Sequence, residues 1–213
     1  VPTLCCARSL QRHVTKVYAE ETFSKTSKLR FAVRIGWEWI MNSIIIVGES
    51  AIEGLGVFAT SEFLPGDVVA LIDDSYVVDA EHPVPRGEER HCDYLQGGKT
   101  VWMQVPERHI NHACDPNTSV RTRNGVRNVL ARGRIRVGDE ITYDYCVNGF
   151  GDTVWHCHCG SARCRGVIHS DFFHLPLELQ KEYLPLLDEW FCVERAPEIK
   201  QLRGVLGVDS GVS

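Results

Sequence analysis

No uninterrupted apolar run in this 213-residue chain is long enough to cross a membrane. The most apolar stretch, residues 35–47, carries Glu38 and Asn42 inside it. The N-terminus lacks an apolar core followed by a small-residue cleavage site, so a secretory leader is not read there. A basic stripe is missing too. Lysine and arginine number 23 against 28 acidic residues, a net charge of −5, and direct nucleic-acid binding is not expected of such a balance. An acidic surface suits a basic partner instead. No internal repeat or low-complexity block is present. What remains is a globular composition, 44% hydrophobic and 24% charged, on a chain long enough to bury an ordinary core.

Cysteine, by contrast, is plentiful and odd in number: there are nine. Without a leader, this implies a reducing, intracellular setting (cytoplasmic, or nuclear in a eukaryote) and metal ligation in place of a disulfide framework. Cys5, Cys6, Cys92 and Cys192 read as small buried residues. Three others, Cys157, Cys159 and Cys164, stand at C-x-C-x4-C spacing. Three thiolates are one ligand short of the closed tetrahedral shell of a structural Zn2+. The fourth must come from a distant segment, and Cys114 is the best donor. Cys146, His156 and His158 are rivals.

Residues 1–42 read as an N-terminal extension. Leu10, Val14, Val17 and Tyr18 share one helical face. Met41 then precedes a strand-like run, so one hypothesis is that the natural protein begins at Met41. Intact-mass measurement of the native protein tests it, and a species beginning at Val1 ends it. From residue 43 the pattern is short β runs and turns. Strands are predicted at 44–47, 57–59, 68–72, 76–78, 100–103 and 140–145. Pro65-Gly66 turns the chain, and Asn124-Gly125 predicts a type I′ hairpin. Residues 175–191 predict two short helices broken at Pro185, with Leu179, Tyr183 and Leu187 as the apolar face. The glycine-containing tail from Arg203 is expected to be loose.

Gly54-Leu55-Gly56-Val57-Phe58-Ala59 matches G-x-G-x-x-A, with Asp73 and Asp74 about 20 residues later. A dinucleotide site needs a helix after those glycines. Val57-Phe58 instead continues as strand, and Pro65-Gly66 leaves no room for a crossover. A glycine turn whose backbone approaches a ligand is the better reading.

Four segments in order resemble the SET-domain protein-lysine N-methyltransferases. They are the glycine turn 54–59; Arg108-His109-Ile110-Asn111-His112-Ala113-Cys114-Asp115-Pro116-Asn117, close to R-F-x-N-H-S-C-x-P-N; Gly138-Asp139-Glu140-Ile141-Thr142-Tyr143-Asp144-Tyr145, close to G-E-E-L-T-Y-D-Y; and the cysteine run, similar to the family's post-SET zinc segment. The resemblance implies a mostly β fold with short helices: a β-clip of small curved sheets with a pseudoknot, spanning 43–150. A zinc-bound post-SET segment at 151–168 and a helical C-terminal extension with a loose tail at 169–213 would follow.

The function implied is S-adenosyl-L-methionine-dependent methylation of a lysine amine in a protein or peptide, a histone tail being one possibility. No membrane partner is implied. Tyr145 resembles the catalytic tyrosine. Tyr143 stands where the family has Phe or Tyr, and a tyrosine there favours mono- or di-methylation. Gly54, Leu55, Gly56, Asn111, His112 and Tyr145 resemble the cofactor site, and Cys114, Cys157, Cys159 and Cys164 the zinc site. Arg108 fits a structural ion-pair role at least as well as a ligand role, and Asp144 fits a structural role better than a catalytic one. The sequence departs from the family in two places. Ala113 replaces a serine, and residues 69–75 lack the tyrosine usual after the Pro-Gly turn, which Tyr76 or Tyr94 would have to supply. A catalytically silent SET-like module that binds a protein tail is the alternative. A zinc module without a cofactor leaves the Tyr143-Asp144-Tyr145 segment unexplained.

Overall fold

The computed structural model describes residues 44–208. The amphipathic stretch at 10–18, Met41, Cys5, Cys6 and the last five residues lie outside them. Eleven short strands and three short helices make up most of the regular structure.

β-branched residues open the first sheet. β1 (Ile45–Glu49) pairs antiparallel with β2 (Leu55–Ala59) across the glycine turn. Strand, not helix, therefore follows the glycines, which removes the dinucleotide reading. β3 (Val68–Leu71) follows a turn in which Gly66 takes φ +89 behind Pro65, the geometry of a type II turn. β4 (Cys92–Leu95) and β5 (Lys99–Trp102) form a separate hairpin. The strand predicted at 76–78 reduces to a single bridge, Val77 to Val101.

β6 (Asn111–His112) is only two residues long. β7 (Thr118–Arg123) and β8 (Val126–Ala131) form the predicted hairpin, with Asn124 at φ 52 and Gly125 at φ 75. Positive φ at both central residues is what a type I′ turn demands. β9 (Glu140–Tyr143) stops two residues short of the predicted end. There Asp144 is 1% exposed and its carbonyl accepts the Val147 N–H at 3.0 Å, so the chain turns instead of pairing.

The strand orders are β1-β2-β9-β6 and β3-β8-β7. β6 runs parallel to β9, with Asn111 opposite Thr142 and His112 opposite Tyr143. Two motifs separated in sequence thus lie side by side. One core fills the space between these sheets, built on Val57, Val69, Ile110, Val129, Ile135 and Ile141.

A second core belongs to the C-terminal part. β10 (Val154–His156) and β11 (Val167–His169) bracket the cysteine run. α1 (Leu177–Tyr183), a 3-10 turn at Leu184–Leu186 carrying Pro185, and α2 (Glu189–Glu194) give the predicted broken helix. α3 (Ala196–Leu206) continues past Arg203, correcting the expectation of a loose tail there, and is capped by Gly207 at φ 62. Phe172, Tyr183, Phe191, Ile199 and Leu202 pack with Cys114 and Cys146, and the other three cluster cysteines line the edge. No helix among the described residues is long and apolar enough to cross a membrane.

Candidate active site and metal cluster

One cavity of about 880 Å3 is lined by Gly54 and Leu55 of the glycine turn, by Asn111 and His112, and by Tyr143 and Tyr145. Trp155 and Cys157 close it from the C-terminal side. The two motif segments reach it through the β6–β9 pairing, and the glycine turn through the β2–β9 pairing.

Asn111 holds this geometry. Its side-chain N–H group donates to the carbonyls of Glu53 (3.1 Å) and Leu55 (3.0 Å) and to Glu140 Oε1 (2.9 Å). Ser50 Oγ also donates to Glu140, at 2.8 Å. The two glycines therefore differ in task. Gly54 has φ +47, a conformation side-chain-bearing residues rarely take, whereas a Cβ on Gly56 would run into the Glu140 carboxylate. Gly56 does not line the cavity; its open side belongs to Glu140.

Tyr145 lies just beyond β9. Its hydroxyl donates to the carbonyl of Ile110 at 2.7 Å, and its backbone N–H donates to His112 Nδ1 at 3.2 Å. The residue is 37% exposed, yet the hydroxyl is at the buried end, and burial raises its pKa above the usual phenol range. The Tyr143 ring packs against it at 4.9 Å, and burial likewise holds that phenol well above its ordinary pKa. His112 meets Tyr145 at 5.3 Å and Trp155 at 5.7 Å, both edge-on. Four rings thus surround one end of the cavity. Burial pulls the His112 pKa down to about 4, so its imidazole is neutral at pH 7.

Asp144 is not free to act as a base. Arg165 grips both of its oxygens, at 2.6 and 2.9 Å, and the Cys146 N–H adds a third bond at 3.1 Å. This pair straps the cysteine run to the end of β9. Arg108 sits 3.7 Å from Glu88 and stacks over Trp102 at 5.2 Å, a structural arrangement. Of the two tyrosines that might replace the missing channel ring, Tyr94 lines the large cavity, whereas the Tyr76 hydroxyl donates to Pro83 O away from it.

The side chains of Cys114, Cys157, Cys159 and Cys164 place all four sulfurs within 4.8 Å of one another. Cys114 Sγ and Cys157 Sγ are 3.7 Å apart. A tetrahedron with metal–sulfur bonds of about 2.3 Å has edges of about 3.8 Å, so the donors fit a tetrahedral metal ion. The rivals fall outside the group. Cys146 donates its thiol to His169 O at 3.0 Å, and His156 and His158 are exposed.

Burial pushes the Cys114 thiol up to about 11 and Cys157 above the usual range. Burial acts on Cys159 in the same sense, but the N–H groups of Cys114 and Ser161 and the neighbouring thiols outweigh it and bring Cys159 down to about 7. Such a cage ionises fully only around a cation. Two further groups approach Cys114 Sγ: the Arg165 N–H donates to it at 3.3 Å, and His112 Nε2 lies 3.5 Å away.

Sequence reasoning missed several contributors. Trp155 stands two residues before Cys157, and only its place on β10 turns it toward Tyr145, 6.1 Å away. Asn117 spans the β6–β9 region, donating to Glu140 O at 2.7 Å and accepting the Thr142 N–H at 2.9 Å. Beside Tyr143, Arg127 is clamped by Asp74 (2.7 and 2.9 Å) and pairs with Asp93, and both Arg127 and Asp93 line the cavity. Behind them Glu107 is 6% exposed. Burial, reinforced by Asp73 and Asp74, raises its pKa to about 7.

Against known proteins, residues 54–146 match the SET domain family. The histone-lysine N-methyltransferase ash1 of Drosophila melanogaster is 27% identical over 172 residues, covering 77% of this chain and 7% of that protein. Histone-lysine N-methyltransferase ATX2 of Arabidopsis thaliana is 28% identical over 141 residues, covering 57% of this chain and 13% of that protein. Set2 of Drosophila melanogaster is 29% identical over 130 residues, covering 54% of this chain and 6% of that protein. The chain thus spans only a small part of the length of these relatives.

Proposed function

Residues 54–146 constitute a SET domain, and from that premise we propose that the protein methylates the side-chain amine of a protein lysine, using S-adenosylmethionine. The observation that carries this reading is the meeting of the glycine turn, Asn111-His112, Tyr143 and Tyr145 in one cavity walled by the cysteine segment. When bound, S-adenosylmethionine supplies an electrophilic methyl group on a sulfonium. The chain's own residues account for the rest. Gly54, Leu55 and the Asn111-His112 backbone offer the cofactor a polar rim, while the aromatic rings of Tyr143, Tyr145 and Trp155 suit a cationic centre. The Tyr145 hydroxyl has its proton committed to Ile110 O, which leaves its lone pairs as acceptors for polarised C–H groups.

Lysine attacks only as the neutral amine, which at its ordinary pKa of about 10.4 is a rare form at pH 7. Asp144 is held by Arg165 and Glu140 by Asn111 and Ser50, so neither carboxylate of the motif segment is free to anchor the ammonium. The buried aromatic walls lower the lysine pKa by desolvation. Tyr143 narrows the space beside Tyr145, which favours adding one or two methyls. The four thiolates would hold Zn2+ and keep the wall with Trp155 in place.

The substrate class follows the relatives' names and the acidic charge balance: a basic tail, with histone tails the first to test. The zinc-loaded protein should bind S-adenosylmethionine and transfer labelled methyl to lysine in core histones or in lysate proteins, and Tyr145→Phe should cut the rate about 100-fold or more. Binding of neither cofactor nor lysine peptide, with no label transferred, would sink the proposal.

A further inference from the structure

The imidazole of His112 touches two parts of the molecule that the proposed activity uses separately. On one side its Nδ1 lies 3.2 Å from the backbone nitrogen of Tyr145. On the other its Nε2 lies 3.5 Å from Cys114 Sγ. The ring is 5% exposed and is held edge-on between Tyr145 and Trp155. We propose that His112 is a positioning residue that ties Tyr145 to the metal cage, accepting the Tyr145 N–H at Nδ1 and donating from Nε2 to the Cys114 thiolate. The proposal rests on the methyltransferase reading for its consequence, although not for its geometry.

The direction of the two bonds is fixed by the partners. A backbone N–H can only donate, so Nδ1 must present its lone pair, and the hydrogen of the neutral ring stands on Nε2. Asp144 Oδ1 also lies near Nδ1, at 3.5 Å. A carboxylate can only accept, and this oxygen already accepts from Arg165 and from the Cys146 N–H, so it does not call for a hydrogen on Nδ1. At the other end a metal-bound thiolate is an acceptor, and hydrogen bonds of this kind orient ligands and set metal affinity. Among the described residues the Arg165 N–H reaches the same sulfur from the cysteine run itself. Only the His112 bond leads from that sulfur to the residue proposed for catalysis. The cage and Tyr145 then cannot shift independently: the sulfur, the imidazole and the Tyr145 peptide form one continuous chain of contacts. A histidine that merely fills space would need neither bond.

Two measurements test this. In wild-type protein with 15N-labelled histidine, loaded with cadmium-113, His112 should show an unprotonated Nδ1 and a protonated Nε2 whose hydrogen couples to the metal through the sulfur. A protonated Nδ1, or an Nε2 hydrogen indifferent to the metal, overturns the tie. The second uses paired variants. His112→Gln keeps an amide N–H near the position of Nε2, whereas His112→Asn keeps only a group near Nδ1. A chelator should strip metal from His112→Asn about tenfold faster or more, and from His112→Gln within about threefold of wild type. Equal loss from both variants also overturns it. Neither readout needs turnover. A protein with the expected imidazole signals but no methyl transfer fails the enzymatic reading alone, and an active enzyme with the wrong tautomer fails this inference alone.

Discussion

Tyr143 and Glu107 make the sharpest single-residue predictions. The Tyr143 phenol lies beside Tyr145 in the cavity. Replacing it with phenylalanine removes one oxygen from the proposed lysine channel and should raise the number of methyls added per lysine. Mass spectrometry of the product reads this directly, and an unchanged distribution counts against the proposed role. Burial favours the protonated form of Glu107 in the folded state. Its folded pKa, raised to about 7, stands above an unfolded value near 4.5. The stability linked to this group is therefore complete below pH 4.5 and is lost as pH rises through 7. Glu107→Gln should abolish that loss, gaining up to about 3 kcal/mol over wild type at pH 8 and little at pH 5. Denaturant titrations at the two pH values measure the difference.

At this scale the sequence was legible wherever chemistry dictates residue type and spacing together. The cysteine run and Cys114 are of that kind, since three closely spaced thiols call for a fourth donor to close a tetrahedral shell. Trp155, Asn117, Asp93 and Arg127 were not legible. Each matters through a neighbour that only the fold supplies: Arg127 meets Asp74 across 53 positions, and Asn117 meets Glu140 across 23.

Among the elements, those with strong local signals were readable. β1, β2 and the β7–β8 hairpin follow from β-branched runs and from Asn-Gly at a turn that needs positive φ. β6, β10 and β11 are two or three residues long, too short for alternation to show: β6 forms against the longer β9, and β10 and β11 form against each other on either side of the cysteine run. Yet β6 is what sets Asn111 and His112 beside β9. The docking of the C-terminal helices was equally hidden. Asp188, 2% exposed, accepts the Thr122 N–H at 2.7 Å, the Thr122 hydroxyl at 2.9 Å and the Trp190 indole N–H at 3.2 Å. Its own N–H donates to Asn148 Oδ1 at 2.7 Å. One carboxylate thus joins α2 to β7. Asp188→Ala strands these donors and should cost about 2–3 kcal/mol. Proteolysis should then cut within 184–208 before it reaches the β7–β8 hairpin, and simultaneous loss of both regions would show that they do not unfold separately.

At the scale of the whole described molecule, the second core reaches the motif segments at Cys114, two residues beyond β6. Its sulfur belongs to the cage, and its carbonyl accepts the Tyr183 hydroxyl at 3.5 Å. Metal removal should therefore loosen more than the cysteine run. With chelator present, the segment from 151 to 208 should lose amide exchange protection while β1, β2, β7 and β8 keep theirs, and re-adding Zn2+ should restore it. Protection unchanged by chelation would show that Arg165–Asp144 and the helix packing hold the segment without metal.

The span of these contacts has a consequence for a chain during synthesis. Cys114 bonds across 43 positions to Cys157, 51 to Arg165 and 69 to Tyr183. A nascent chain that has emerged only through Tyr145 already owns both motif strands, but it lacks the wall that closes the cavity over them. The cavity is closed only once the segment carrying Trp155 and Cys157 has left the ribosome. Premature termination after the tyrosine motif thus leaves an open trough in place of a weakened enzyme.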